Sequence, residues 1–286
     1  MPAGHRPKNS ILCPHCRRLI SRDEERCPYC GTASPASWWK NLSFFNMLRD
    51  PSQFVRLIIA VNIGMYVISL LLDPKALTAS QGFSPFSFLS PSDRSLLLLG
   101  SSGTYPVFQL HRYWSVLSAN YLHGSLLHIF FNMFAFWQLG PIATREFGGW
   151  RMFVIYTLGG VFGFVVSVLV GIPFTIGASA SVCSLIGAML YFGKSRGGAY
   201  GNAVYRQLLG WAVSIFAFGF MVQGINNWAH GGGMAAGAFL AYLFGYQDQR
   251  KEKGGIKILG VCCMLATGLV LLWAVATGFF YMLLAT

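Results

Sequence analysis

Apolar residues run through this chain in long blocks separated by short polar stretches, and the blocks set the first expectation. Seven of them approach the ~20 residues a helix needs to cross the hydrocarbon of a bilayer: residues 54–73, 123–140, 151–171, 178–193, 208–226, 228–246 and 257–283. The fourth and sixth are short and rich in small residues, so other helices rather than lipid are expected to enclose them. Ahead of the first block, residues 1–50 are too polar to provide the apolar core of a signal peptide. The connection 74–122 is long but not polar. SLLLLG and YPVFQLHRYW within it predict a segment lying on, or partly in, the outer leaflet. No repeat and no low-complexity tract is read from the chain.

Composition agrees with this pattern. Of 286 residues, 54% are hydrophobic and only 10% charged, against about 25% charged in a soluble domain. The net charge of +12 would point to nucleic acid or an acidic partner on a soluble protein. Its distribution gives another reading. Lys and Arg gather before the first block and in alternate connections, at Arg145 and Arg151, at Lys194, Arg196 and Arg206, and at Arg250, Lys251, Lys253 and Lys257. The connections near 172–177 and 226–229 carry no charge. By the positive-inside rule the N-terminus is expected in the cytoplasm and the C-terminus outside. A bacterial inner membrane is the simplest host, and no nucleic-acid partner is expected.

Residues 1–34 read as a separate unit. CPHC at Cys13 to Cys16 and CPYCG at Cys27 to Gly31 repeat one knuckle. Paired Cys-x-x-Cys turns bring four thiolates together at the spacing a structural zinc requires. The alternative is a disulfide, which a cytoplasmic address disfavours. So short a unit buries little apolar surface, and the metal is expected to hold its fold. Residues 35–53 read as a linker, with Trp38 and Trp39 beside Lys40 at the membrane interface. Cys183, Cys262 and Cys263 fall in spans and read as packing residues.

The candidate chemistry narrows by elimination. The chain has no His-Glu-x-x-His helix and no Asp or Glu inside a span, Asp73 standing at a span edge and Glu146 in a turn, so membrane metalloprotease, aspartyl-pair and triad chemistry are excluded. What remains is His, Ser and Asn at one depth: His123, His128 and Asn132 on the second span, Ser179 opening the fourth, and His230 on the sixth. Ionisable groups inside a membrane are costly and point to function. His128 and Asn132, four apart, share a helical face, whereas His123 is expected about 140° round the same helix, serving the loop mouth. His230, Gly233, Gly237, Ala241 and Gly245 form one small face, and Ser179, Cys183 and Gly187 another. Such faces let backbones approach closely, which brings Ser179 within reach of His230 as a nucleophile meets its base. A serine after glycine at a helix start also reads as an N-cap, and both readings stand at this point.

His123-GSLL-His128-IFF-Asn132, then GAS at Gly177 to Ser179, then AHGGGMAAG at Ala229 to Gly237 resemble, in order and spacing, the rhomboid family of intramembrane serine proteases. The resemblance covers roughly residues 54–246. It implies an all-α polytopic membrane fold, a six-helix core with one further C-terminal helix at 247–286. It implies Ser179 as nucleophile and His230 as general base, with Asn132, His128 and the Ser179 amide as the oxyanion hole. His123, Gly177, Gly233 and Gly237 would support the motifs, and no cofactor would serve catalysis beside the structural zinc of the head. Trp114 resembles the tryptophan of the family's first loop. Substrates would be single-span membrane proteins with helix-weakening residues near the outer face; a rhomboid-like protein that binds such helices without cutting them is the alternative. Three positions depart from the pattern. Ala180 stands where glycine is usual and is expected to narrow the substrate cleft. Cys183 replaces an aromatic stacked on the histidine, and Ser115 replaces an arginine for which Arg112 is the nearby substitute.

Overall fold

The computed structural model describes residues 10–13, 16, 18–37, 52–74, 88–248, 252 and 254–284. Most of the expected linker, including Trp38, Trp39 and Lys40, and the basic residues Arg250, Lys251 and Lys253 lie outside the described residues. The chain divides into two compact units, Met1–Phe54 and Val55–Thr286.

The small unit is a hairpin and two cysteine turns. Strand β1 (Ser10–Leu12) pairs antiparallel with β2 (Leu19–Ser21), Leu12 opposite Leu19. Alternation sends Ile20 inward to pack on Cys13 and Cys27, while Leu12 and Leu19 face outward. The turn after Cys27 closes through the Gly31 amide, which donates to the Cys27 carbonyl at 2.9 Å. Gly31 there takes a φ of +72° that other residues rarely adopt.

The large unit is predominantly helical. It begins within α1 (Ser52–Leu72) and holds the α-helices α2 (Asp93–Leu98), α3 (Ser115–Ser118), α4 (Leu126–Phe147), α5 (Gly149–Leu169), α6 (Ser179–Arg196), α7 (Gly198–Met221), α8 (Asn227–Phe244) and α9 (Gly254–Leu283). Among the described residues five helices, α1, α4, α5, α7 and α9, are long and apolar enough to cross a membrane. The other two predicted spans, α6 and α8, are the short ones rich in small residues. Every residue of α6 from Ala180 to Met189 is buried, in line with the expectation that protein rather than lipid encloses it.

Glycine makes that enclosure possible. α8 packs on α6 and α5, and a Cβ added at Gly233 or Gly237 would collide with the carbonyls of Ala180 or Ser184 on α6. One at Gly187 would strike the Met234 carbonyl, and ones at Gly159 and Gly160 of α5 would meet the hydroxyls of Ser184 and Ser181. Helices without hydrophobic drive between them associate by this close backbone packing. Both serines are satisfied internally, Ser181 donating to Asn120 Oδ1 at 2.8 Å and Ser184 to the Ile155 carbonyl at 2.7 Å.

Two of the helix starts that differ from the sequence reading have a local cause. α4 begins at Leu126 rather than 123, because Ser125 caps it, its hydroxyl accepting from the His128 amide at 3.2 Å. α7 begins at Gly198 rather than 208: its polar first turns (Tyr200, Asn202, Arg206) lower the apolar signal without breaking the helix. Those turns meet the end of α4, where the Tyr200 hydroxyl and Arg145 Nε both donate to Glu146 Oε1 at 2.8 Å. The same end joins α5 to the segment after α8, since the Arg151 amide donates to Glu252 Oε1 at 3.0 Å.

Candidate active site

The opposite ends of α4, α6 and α8 meet around Ser179. Ala178, not Ser179, holds the N-cap position of α6, and no side chain caps it. Ser179 is the first helical residue, and its Oγ is 2.8 Å from Nε2 of His230. Of the two readings of this serine, capping is therefore set aside: its hydroxyl meets an imidazole, not a backbone amide. His230 lies one turn into α8 and is buried at 6% exposure. Asn226 starts that helix by accepting from the Ala229 amide at 3.1 Å.

His128 approaches from α4. A Cβ at Gly177 would be 2.7 Å from His128 Nε2 and 3.6 Å from Ser179 Oγ, and Gly177 adopts a φ of +127°. Glycine is required there both for the backbone and for the room the imidazole occupies. The Gly124 amide donates to His128 Nδ1 at 3.2 Å, so in the neutral ring the proton is on Nε2, the atom aimed at the space beside Gly177 and Ser179. Asn132 is one turn deeper on the same face, its amide nitrogen donating to the His128 carbonyl at 2.9 Å. The first amides of α6 have no acceptor within the helix. Together these make a donor-lined space next to a serine hydroxyl, the arrangement that stabilises a developing oxyanion.

His123 is placed differently from the expectation. It precedes the capped start of α4, so it is in the loop and not round the helix from His128. It is fully buried rather than at a loop mouth. Its ring packs edge-on against His128 with centroids 5.1 Å apart, and neither ring nitrogen has a hydrogen-bond partner among the described residues. Ala180 is also corrected: its methyl is buried in a cluster with Ala119, Phe164 and Ala229, so it faces α5 and the core and does not narrow a cleft. Cys183 is buried. Among the described residues no aromatic ring stacks on His230, and its Nδ1 has no hydrogen-bond partner. Arg112 donates from Nη1 to the Leu97 carbonyl at 2.6 Å, tying the first loop to the end of α2.

The sequence reading missed Asn226. Its Nδ2 donates to Ser167 Oγ at 2.5 Å and to Thr175 Oγ1 at 3.0 Å while its Oδ1 caps α8. One side chain thus joins the end of α5, the strand-like 172–175 segment and the helix bearing His230. That segment is held from the other side by Ser102, whose amide and carbonyl pair with Thr175 at 3.0 and 2.7 Å. An Asn before an apolar helix is a readable cap signal, but the other two partners are not readable.

The four cysteines of the head also converge, with all four sulfurs within 4.8 Å of one another and no disulfide. Cys13 and Cys30 sulfurs are 3.6 Å apart, as are those of Cys16 and Cys27, so the close pairs link the two knuckles. Zinc bonds of ~2.3 Å in a tetrahedron place sulfurs about 3.8 Å apart, and the residues fit that ion. Hydrogen bonds from the Thr32 hydroxyl and amide bring the Cys30 thiol down to about 5, whereas against a lowering backbone hydrogen bond from Arg18, burial and the neighbouring thiols push Cys16 up, so without a metal the four do not all ionise together.

Residues 110–247 match the Rhomboid domain family. The chain is 29% identical over 169 residues to Rhomboid protease GluP of Bacillus subtilis (strain 168), covering 59% of this chain and 31% of that protein. It is 27% identical over 216 residues to RHOMBOID-like protein 4 of Arabidopsis thaliana, covering 68% and 55%. It is 30% identical over 158 residues to Inactive RHOMBOID-like protein 8 of the same plant, covering 54% and 44%. The chain thus spans about a third to just over half the length of these relatives. α4, α6 and α8, the helices that bring Ser179, His128, Asn132 and His230 together, all lie inside the segment that matches the Rhomboid domain family.

Proposed function

We propose that this protein is an intramembrane serine protease whose nucleophile is Ser179 and whose general base is His230. The observation that carries the reading is the 2.8 Å contact between Ser179 Oγ and His230 Nε2. Nε2 accepts the hydroxyl proton as Oγ attacks the scissile carbonyl, and the protonated ring then gives that proton to the leaving amine. The carbonyl oxygen, now an anion, accepts from His128 Nε2–H, the free N–H of the Asn132 amide and the Ser179 backbone N–H. Water activated by the same histidine hydrolyses the acyl-enzyme. The substrates are membrane proteins cut in or beside a transmembrane segment, near the outer face if the N-terminus is cytoplasmic. Zinc in the head is structural, and Ser179 chemistry uses no cofactor.

A fluorophosphonate probe on the membrane-embedded chain tests this. Label is expected on Ser179 and not on Ser181 or Ser184, whose hydroxyls are already bonded to Asn120 and Ile155. It should vanish in Ser179→Ala and fall strongly in His230→Ala. An unlabelled wild-type chain would favour the second reading, a binder of transmembrane helices that does not cut them. One feature supports that rival: among the described residues His230 Nδ1 has no hydrogen-bond partner and no stacked ring orients it. Gain of labelling in Cys183→Tyr would then identify the missing support.

A further inference from the structure

The imidazole of His230 is held by little besides its own helix. Nε2 meets Ser179 Oγ at 2.8 Å, but among the described residues Nδ1 has no hydrogen-bond partner and no aromatic ring stacks on it. The contact with Ser179 therefore depends on where the backbone of α8 stands against α6. Packing further along α8 leaves one direction open. Gly232, Gly233 and Gly237 approach α5 and α6 closely, yet a face without side chains carries no ridge to stop one helix sliding along the next. Asn226 supplies that stop. Its Oδ1 accepts from the Ala229 amide at 3.1 Å and its carbonyl from the His230 amide at 3.2 Å, which fixes it to the turn that carries the base. Its Nδ2 reaches across to two buried hydroxyls, Ser167 Oγ in the last turn of α5 at 2.5 Å and Thr175 Oγ1 at 3.0 Å. Thr175 is four residues before Ser179 and is tied in turn to the first loop, by its backbone pairing with Ser102 and by the Thr104 amide, which donates to the Ile172 carbonyl at 2.8 Å.

We infer that Asn226 is a positioning residue for the Ser179–His230 pair. Its side chain locks the start of α8 to the segment that leads into α6, and so sets the separation of hydroxyl and imidazole where no stacked ring does. The inference rests on the protease reading above. Asn226 is one helical turn, about 6 Å, from the base, and its bonding partner Thr175 is four residues from the nucleophile. Capping α8 needs only Oδ1. The two bonds from Nδ2 do nothing for that helix and join it to the other side of the site, so the two roles of the side chain can be separated.

Asn226→Ser in the full chain keeps a capping oxygen but is too short to reach Ser167 and Thr175. It is expected to melt close to the wild type while fluorophosphonate labelling of Ser179 slows on the order of ten- to a hundredfold, the scale of a misplaced catalytic group. Ser167→Ala with Thr175→Val removes the same bonds from the other side and leaves the cap intact. That pair should slow labelling equally, should add nothing to Asn226→Ser, and stands in for it if Asn226→Ser does not fold. Because the effect passes through the base, neither change should slow the residual labelling of His230→Ala any further. A lower melting temperature with unchanged labelling, or equal slowing with and without His230, overturns the proposal. A second readout needs no serine chemistry. The thiol introduced by Ser179→Cys should be alkylated by iodoacetamide several-fold faster with Asn226 than with Asn226→Ser, since a well-placed His230 takes its proton. Equal rates at position 179 also overturn the proposal. A wild-type chain that resists the probe while this difference persists counts against the protease reading alone.

Discussion

Gly177 shows how closely one residue can be held by both backbone and ligand space. With φ at +127°, any side chain is strained by about 1–3 kcal/mol, and a methyl would meet His128 Nε2 at 2.7 Å. Gly171 separates the two effects, since its φ of +93° is similarly strained but nothing lies within 4 Å of an added Cβ. Gly171→Ala should therefore lose stability and keep turnover. Gly177→Ala should lose stability by a similar amount and also turnover by on the order of a hundredfold, as when one oxyanion donor is displaced. Thermal unfolding and cleavage rate measured on both variants decide it; equal turnover would remove His128 from the oxyanion site. Residue types and order made Ser179, His128, Asn132 and His230 readable from the chain. The place of His123 was not readable, because a single cap at Ser125 moves the helix start past it.

At the scale of elements, the small-residue faces of α5, α6 and α8 set how the helices can pack. Gly237 faces the Ser184 carbonyl so closely that no side chain fits. Gly237→Leu should force α8 off α6, separate His230 from Ser179 and abolish both labelling and cooperative unfolding. Gly268→Leu on α9, where an added Cβ meets nothing within 4 Å, should be tolerated. Melting temperatures in one detergent compare the pair, and equal effects would show that the glycine faces do not control the packing. These faces were legible from spacing. Their partners were not, since a face of glycines states that something approaches closely and leaves the identity of that neighbour open.

For the whole molecule, the division into two units gives separable expectations. The full chain should carry one zinc. Cys13→Ser or Cys27→Ser, or a chelator, should release it and expose residues 10–37 to protease while Ser179 still takes the probe. A head that stays resistant without metal would show that the hairpin folds on its own. Orientation is set by charge: a reporter after Thr286 should read outside the cytoplasm, and one near Gly198 inside. The reverse would put the Ser179 end at the cytoplasmic face.

Sequence alone determined the features that depend on local chemistry along the chain. Long apolar blocks read as membrane helices, two Cys-x-x-Cys knuckles as one metal-binding set, and hydroxyl, imidazole and amide at helical spacing as groups at one depth. Tertiary structure decided what depends on which neighbour fills a given space. It turned Ala180 toward α5, took the capping role from Ser179 and gave Asn226 three partners on three segments. Spacing fixes direction and depth along a helix; only packing fixes which atom lies opposite.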